Sequence, residues 1–424
     1  MEKNEVKNLN IDIYKETLEN GLSIYISKID RSVVHARMTV FFGGKDLNFK
    51  IDNQNTQMPA GIAHFLEHKM FEKEDGIDPL KIYEKNGASG NAFTTSDITA
   101  YHFTGIDNFY ENLETLLNCV HKPYFTDENV QKEKGIISQE KKQDLDNPFS
   151  IIYDKVFENT FKNKSLKSTV LGSLENISSI TKENLYTCYN AFYQPKNMVL
   201  TISGNVDVLK TVEFVKNYYK NNTFDKKIAV KEEVNEKETV DKEFEVIYKD
   251  VQNKNIAINY KVKKPKIFES FKENLFLPIY LNIKFGGLSD IIDIIQKDEN
   301  IVTDLNCNVK NYEDYYVITF EVAVKEDTEN IINLIDSTLK NKKIDEKTFD
   351  LIKKQALNSL IIASENPTSI CSEITRELYI FKEIKYDIYD ITKSLKFEDL
   401  KEILKKLNFE NKSTVILEKA STQN

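Results

Sequence analysis

The segment that decides the fold reads Gly61-Ile62-Ala63-His64-Phe65-Leu66-Glu67-His68. The apolar spacing around it predicts a helix over residues 60–73. On such a helix His64 and His68 lie on one face, about one turn apart. Their ring nitrogens can therefore bind one metal ion. Glu67 lies at the edge of the same face, where its carboxylate can accept a proton from water.

The alternative for this segment is an amphipathic helix with incidental histidines. We disfavour it, because two of the five histidines in the chain fall at metal-binding spacing around a carboxylate. The other three histidines stand alone and are interpreted as structural. They are His35, His102 and His121.

A catalytic zinc ion needs a third protein ligand and an open position for water. Glu133 and Glu140 are the candidates, because they lie seven residues apart on a predicted helix and share nearly the same face. Glutamates on solvated helices are common, so the pattern alone leaves both as candidates.

The order H-x-x-E-H reverses the commoner H-E-x-x-H zinc motif and marks the inverzincins. Gly61–His68 resembles the signature of the pitrilysin/insulinase family of zinc peptidases, in particular the zinc-bearing subunit of its two-subunit bacterial members. The segments Gly87–Thr94 and Thr99–Tyr101 and the pair Glu133 and Glu140 are similar to that family as well. The strong match covers residues 20–205, whereas the second half matches in layout more than in residues.

The resemblance implies a role for each residue of this group. It implies that His64, His68 and Glu140 bind one zinc ion and that Glu67 is the catalytic base. It also implies that Glu133 orients one of the zinc ligands without binding the metal itself.

The resemblance also implies where a substrate peptide binds. The peptide would add as a strand to a sheet edge formed by Asn91, Ala92, Phe93 and Thr94. Without the resemblance, this segment would be interpreted as a buried strand.

The chain of 424 residues suits two domains. We predict an N-terminal zinc-binding α+β domain over 1–222, a charged linker over 223–242, and a C-terminal α+β domain of similar layout without metal ligands over 243–424. Each copy would contain a mostly antiparallel sheet covered by helices. Together the copies would form one half of a peptidase chamber.

Local patterns predict the elements of the two copies. Predicted strands lie at 21–27, 33–42, 91–95, 99–104, 197–204, 256–262, 315–322 and 413–417. Predicted helices lie at 60–73, 109–120, 126–142, 274–285, 329–339 and 345–363. A polar loop is expected over 52–55.

Family members that work as closed chambers carry an Arg, then a Tyr seven residues later, after a Gly-rich bend in the C-terminal unit. These groups hold the substrate carbonyl. Here the bend is Gly286-Gly287, and Gln296 and Thr303 stand near the expected positions. No arginine occurs between Arg37 and Arg376, and Arg376 belongs to a later predicted helix.

Three interpretations follow from the missing pair. The first is a zinc metalloendopeptidase subunit for short or unfolded peptides, with the Arg/Tyr pair supplied by a homologous partner chain that lacks the H-x-x-E-H motif. The second is a zinc-binding scaffold of weak or no activity. The third is a structural metal site on a binding module, which we disfavour because such sites are usually closed by four ligands. Glu67 favours the first, since a scaffold has no need of a base.

Composition limits the remaining classes. The net charge of -9 argues against a general nucleic-acid binder. No apolar run suits a membrane span, and the polar start Met1–Glu5 shows no secretory signal. The four cysteines lie far apart and indicate isolated thiols in a reducing compartment, so the cytoplasm is the expected location.

Overall fold

The computed structural model describes residues 1–220, 229–232, 234–265, 271–312 and 314–420. The chain divides into two compact units, each drawn from three segments. Unit 1 comprises Met1–Lys141, Ser168–Val234 and Leu360–Ile388, and unit 2 comprises Lys142–Lys167, Asn235–Ser359 and Tyr389–Asn424. Each unit therefore takes one segment from the other half of the chain. The predicted boundaries at 222 and 243 stay a prediction, and residues 223–228 and 233 of the predicted linker lie outside the described residues.

Fifteen strands occur among the described residues. They are β1 Glu2–Val6, β2 Ile11–Thr17, β3 Ser23–Lys28, β4 Val34–Val40, β5 Asn48–Ile51, β6 Gln54–Gln57, β7 Ser89–Thr94, β8 Thr99–Gly105, β9 Met198–Gly204, β10 Val230–Lys231, β11 Phe244–Lys249, β12 Lys254–Lys263, β13 Asn306–Asn311, β14 Tyr315–Val324 and β15 Lys412–Lys419.

Seventeen α-helices and one short 3-10 helix at Pro195–Asn197 occur in the same described part. The α-helices are α1 Ile62–Lys69, α2 Pro79–Lys85, α3 Phe109–His121, α4 Asp127–Asp146, α5 Pro148–Thr160, α6 Lys164–Lys167, α7 Leu174–Ser179, α8 Lys182–Phe192, α9 Val208–Lys220, α10 Phe271–Asn274, α11 Phe276–Phe285, α12 Asp290–Lys297, α13 Glu329–Lys340, α14 Glu346–Ser364, α15 Pro367–Phe381, α16 Ile388–Lys393 and α17 Phe397–Lys406. No single described helix has the length and apolar content to cross a bilayer; one bent pair, Phe271–Phe285 with Asp290–Lys297, meets that test by length and composition alone.

The sheets are mostly antiparallel. In unit 1 seven strands follow the order β1-β2-β3-β9-β4-β8-β7, and β5 pairs with β6 and β10 in a separate small sheet. In unit 2 five strands follow the order β11-β15-β12-β14-β13. In each main sheet one early strand pairs in parallel with the last strand of its copy, β3 with β9 and β11 with β15. The predicted α+β fold with two copies of one unit is confirmed.

Each main sheet is covered on a second face by a helix from the other half of the chain. In unit 2, α5 packs against β12 and β15. In unit 1, α15 packs against β4 and β9. Both helices begin with Asn-Pro, and Asn147 and Asn366 each accept a hydrogen bond from a backbone N–H of the first turn. The two copies thus share a helix start that was not predicted from the sequence.

Two local predictions near the metal motif were wrong. The polar stretch 52–55 is not a loop throughout, because Asp52 and Asn53 form a left-handed turn (φ 48° and 66°) that joins β5 to β6 as a hairpin. The helix predicted over 60–73 covers only Ile62–Lys69. It starts after Gly61, which has φ 89° and lies so close to Leu171 that a Cβ would be 2.4 Å from the Leu171 carbonyl oxygen.

Candidate metal centre

Helix α1 carries the motif, and its apolar residues set its orientation. Phe65 and Leu66 are completely buried in the core of unit 1, where α1 contacts β7, β8 and α8. Because those residues face the core, His64 and His68 project from another side of the helix, towards α4. The period of the helix thus produces the shared face that the sequence predicts.

Helix α4 brings Glu140 to the two histidines. Oε1 of Glu140 lies 3.7 Å from Nε2 of His64, and Oε2 lies 3.7 Å from Nε2 of His68. Ligand atoms of the three residues all lie within 4.8 Å of one another. A tetrahedral zinc ion with ligand distances of about 2.0–2.1 Å holds its ligands about 3.3 Å apart. The three side chains therefore fit a zinc ion with only small adjustments.

Glu133 determines which nitrogen of His68 faces this cluster. Nδ1 of His68 donates a hydrogen bond to Oε1 of Glu133 at 3.0 Å, which leaves Nε2 towards Glu140. Burial lowers the pKa of His68, but the hydrogen bond and the charge of Glu133 outweigh burial, so the pKa is raised overall. Burial raises the pKa of Glu133, but the contact with His68 outweighs burial, so the pKa of Glu133 is lowered overall. A carboxylate behind a ligating imidazole orients the ring and makes it a better ligand.

His64 is buried and neutral at physiological pH. Burial lowers its pKa to about 4, with a further contribution from the charge of His68. Neutral imidazole is the form that binds a metal. Its Nδ1 is enclosed without a hydrogen-bond partner among the described residues. Nε2 is therefore the nitrogen of His64 that faces the cluster.

Glu67 is held by a residue of the neighbouring edge strand. The Thr94 hydroxyl donates a hydrogen bond to Oε2 of Glu67 at 2.7 Å. Burial raises the pKa of Glu67, and the hydrogen bond from Thr94 works against that rise. A carboxylate with a raised pKa is better matched to proton transfer near neutral pH. Thr94 was predicted only as a substrate-binding residue, and its contact with Glu67 was not predicted.

Strand β7 lies at one end of the seven-stranded sheet. Among the described strands it pairs only with β8, so its outer side is an open edge. Asn91 is exposed on this strand, and Phe93 and Thr94 are half-buried. The structure brings His64, His68, Glu140, Glu133, Glu67 and Thr94 together; Asn91, Ala92 and Phe93 lie farther along the edge, and their role in substrate binding stays a prediction.

The expected Arg/Tyr pair is missing from unit 2. The Gly286-Gly287 bend lies between α11 and α12, as predicted, and Gln296 lies in α12. Thr303 accepts a hydrogen bond from the Ala323 backbone N–H at 2.9 Å. Arg376 lies in α15 of unit 1, where it pairs with Glu373 of the same helix.

Comparison with known proteins agrees with this site. The family "Insulinase (Peptidase family M16)" matches residues 52–174, a range that contains every residue of the cluster, and "Peptidase M16 inactive domain" matches residues 179–356. The "Uncharacterized zinc protease YmfH" of Bacillus subtilis (strain 168) is 33% identical over 415 residues, which cover 94% of this chain and 95% of that protein. Mitochondrial-processing peptidase subunit beta of Caenorhabditis elegans is 24% identical over 388 residues, which cover 86% of this chain and 80% of that protein.

Solved structures show the same fold. The M16-like chain from Alicyclobacillus acidocaldarius has a TM-score of 0.90 and 24% sequence identity, over 97% of this chain and 99% of that chain. Sequence relatives named as zinc proteases, the matching family descriptions and the H-x-x-E-H cluster agree with one another. The chain belongs to the insulinase family of zinc peptidases, peptidase family M16.

Proposed function

We propose that this chain is the zinc-bearing subunit of a metalloendopeptidase that cleaves short or unfolded peptides, with one zinc ion per chain. The observation that carries the proposal is the cluster of His64, His68 and Glu140, whose ligand atoms lie within 4.8 Å of one another. Three protein ligands beside a carboxylate that is not itself a ligand, here Glu67, are typical of catalytic zinc, whereas structural sites are usually closed by four ligands.

Each residue of the cluster has a separate task in peptide hydrolysis. A zinc ion bound here would supply a Lewis acid for the scissile carbonyl and for the attacking water. Glu67 accepts the proton of that water and passes it to the leaving amine. Thr94 holds Oε2 of Glu67, and Oε1 makes no hydrogen bond to a described residue, so Oε1 is available to the water. Glu133 keeps the ring of His68 in its ligating orientation.

The substrate would add as a strand to the open edge of β7 along Asn91–Thr94. Main-chain pairing at a sheet edge tolerates many sequences, which suits an enzyme of short or unfolded peptides. Thr94 belongs to this edge and also holds Glu67, so it links the position of the peptide to the position of the base.

We further propose that a homologous chain without the H-x-x-E-H motif supplies the Arg/Tyr pair. The motivation is that Gln296 and Thr303, and no Arg or Tyr, stand near the positions where the pair is expected. A relative whose name describes it as a subunit supports this arrangement. A zinc-binding scaffold of weak or no activity is the second candidate, and the missing pair favours it as well. The complete set of ligands and Glu67 favours the peptidase.

Mixing the two chains tests the proposal. The zinc-loaded chain, a homologue that carries the Arg/Tyr pair, and their mixture are each assayed against a quenched fluorescent peptide. We expect cleavage by the mixture to exceed that by either chain by about 100-fold or more, because one oxyanion donor alone is worth about 10²–10³ in kcat. The matched control is the homologue with its Arg replaced by Met. Full activity of this chain alone would refute the partner, and an inactive mixture would favour the scaffold.

Glu133→Gln is expected to weaken zinc binding about 10–100-fold, because loss of a residue that orients a metal ligand typically lowers metal affinity by this factor. Glutamine keeps the shape of the side chain but removes the charge that orients and polarises His68. Zinc affinity is measured by competition with a chromophoric chelator. The matched control is Glu128→Gln, an exposed position on the same helix. Equal zinc affinity in the Glu133→Gln variant would show that Glu133 has no such role.

A further inference from the structure

The unit 1 sheet has a second polar row on the face opposite α1. In the strand register, Arg37 of β4 pairs with His102 of β8, which pairs with Asn91 of β7. Side chains alternate between the two faces along a strand. Thr94 contacts Glu67 on one face, so Asn91 and Phe93 belong to the other face, together with Arg37 and His102.

Arg37 is a buried cation that has no anionic partner among the described residues. The residue is 5% exposed, and no ion pair among the described residues includes it. Its guanidinium donates no hydrogen bond to a described residue, and its Nε is enclosed without a partner. Arginine stays charged in proteins, and burial of an unpaired charge is costly. An anion supplied by a ligand would remove that cost.

The surroundings of Arg37 provide aromatic and neutral groups. Cζ of Arg37 lies 5.5 Å from the ring centroid of Phe93, so the side chains of a β4 residue and a β7 residue meet over the intervening strand β8. Ala100 pairs with Phe93 and has only a methyl group on this face. Burial lowers the pKa of His35 to about 3 and that of His102 to about 4, and the charge of Arg37 contributes to both shifts.

The guanidinium lies within reach of a peptide on the open edge. Neighbouring strands are about 4.8 Å apart, so β7 lies about 10 Å from β4 and an added strand would lie about 14 Å from it. A long Arg side chain reaching outward and a Glu side chain reaching inward can meet across that gap. Every second side chain of the added strand would point to the face of Arg37.

We infer that Arg37 is a specificity-determining residue that binds the carboxylate of an acidic side chain, Asp or Glu, of a peptide added to β7. That side chain would belong to a position that points away from Glu67. The inference rests on the proposed function in one respect only, which is that the peptide binds along the open edge of β7. The Phe93 ring, 5.5 Å from Cζ of Arg37, places apolar surface beside the pair, and the attraction between opposite charges is stronger where water is excluded.

Peptide binding tests this inference directly. The chain contains no tryptophan, so a peptide with one Trp reports binding by its own fluorescence. Peptides blocked at both ends carry a single Glu moved along the sequence, and each has a matched peptide with Gln. The zinc-loaded Glu67→Gln protein binds them without cleavage. We expect a preference for Glu over Gln of about tenfold at a position facing Arg37, and none at the adjacent positions that face the metal.

Substitution of Arg37 assigns the preference to this residue. In Arg37→Met the Glu peptide should lose its advantage while the Gln peptide binds as before, and in Arg37→Lys part of the advantage should remain. Circular dichroism and zinc content check that the variants fold. Should Arg37→Met not fold, the comparison of Glu and Gln peptides on the protein that retains Arg37 still shows whether the position facing Arg37 prefers an acidic side chain.

Three results would overturn the inference. They are equal affinities for Glu and Gln peptides at every position, a preference that persists in Arg37→Met, and failure of every peptide to bind. A preference for Glu without any cleavage by the protein with Glu67 and its partner would refute the proposed function and leave this inference intact.

Discussion

Glu67→Gln is expected to abolish peptide hydrolysis while the protein keeps its zinc. Glutamine has the shape of glutamate and can still accept the hydrogen bond from Thr94, but it cannot take a proton from water. A general base contributes about 10²–10⁴-fold to the rate, so kcat should fall by at least that factor. Metal content by atomic emission and the cleavage rate in the presence of the partner chain measure the two properties separately.

His68→Ala is the matched control for the loss of activity. It removes one of the three ligands, so both zinc and hydrolysis should be lost. The contrast between the two variants separates the base from the metal. Retained cleavage by purified Glu67→Gln protein would show that Glu67 is not the base.

The elements of both halves were predictable where the local pattern determined them. Strand β14 was predicted at 315–322 and covers Tyr315–Val324, because a run of apolar residues buried on both faces leaves little ambiguity. The β5–β6 hairpin was missed because its strands have only four residues each, β6 is entirely polar, and only the Asp52-Asn53 turn marks the hairpin. Short polar strands depend on their neighbours more than on their own composition.

The position of α15 could not be predicted from local pattern. Its apolar stripe shows that the helix packs on something, but not which sheet it covers. It lies on β4 and β9, far away in the sequence. The repeated Asn-Pro start of α5 and α15 could have aligned the two copies and placed this helix, because both follow a long helix in the same way.

The residues of the metal site differed in how far they could be predicted from the sequence. His64, Glu67 and His68 follow from helical spacing alone, whereas Glu140 was singled out from Glu133 only by the family resemblance. The Thr94 contact with Glu67 needs the relative position of a strand and a helix, which no local pattern contains. Arg37 was visible as one of only three arginines, but its burial, with no anionic partner in the part of the chain that the structure describes, is a property of the folded sheet.

The charge-dense stretch interpreted as a linker contains a buried ion pair of unit 2. The side chains of Lys261 and Glu236 are 0% and 3% exposed, and Nζ of Lys261 lies 2.6 Å from Oε1 of Glu236. The Glu236 carboxylate also accepts hydrogen bonds from the backbone N–H groups of Lys162 and Asn163. Glu236 therefore links two of the three segments of unit 2, 142–167 and 235–359, a role that its linker-like composition does not indicate.

Glu236→Ala is expected to destabilise unit 2 by about 3–5 kcal/mol, because removal of one partner leaves the other charge buried and unpaired. Urea unfolding followed by circular dichroism measures the change. Glu238→Ala is the matched control: Glu238 pairs with Lys263 two residues along the same segments, but those side chains are 62% and 58% exposed, so we expect no measurable shift of the midpoint. Replacing Lys261 by Met in the Glu236→Ala protein should recover part of the loss, since the unpaired charge is then gone. Equal effects of Glu236→Ala and Glu238→Ala would show that burial of the pair does not determine its contribution.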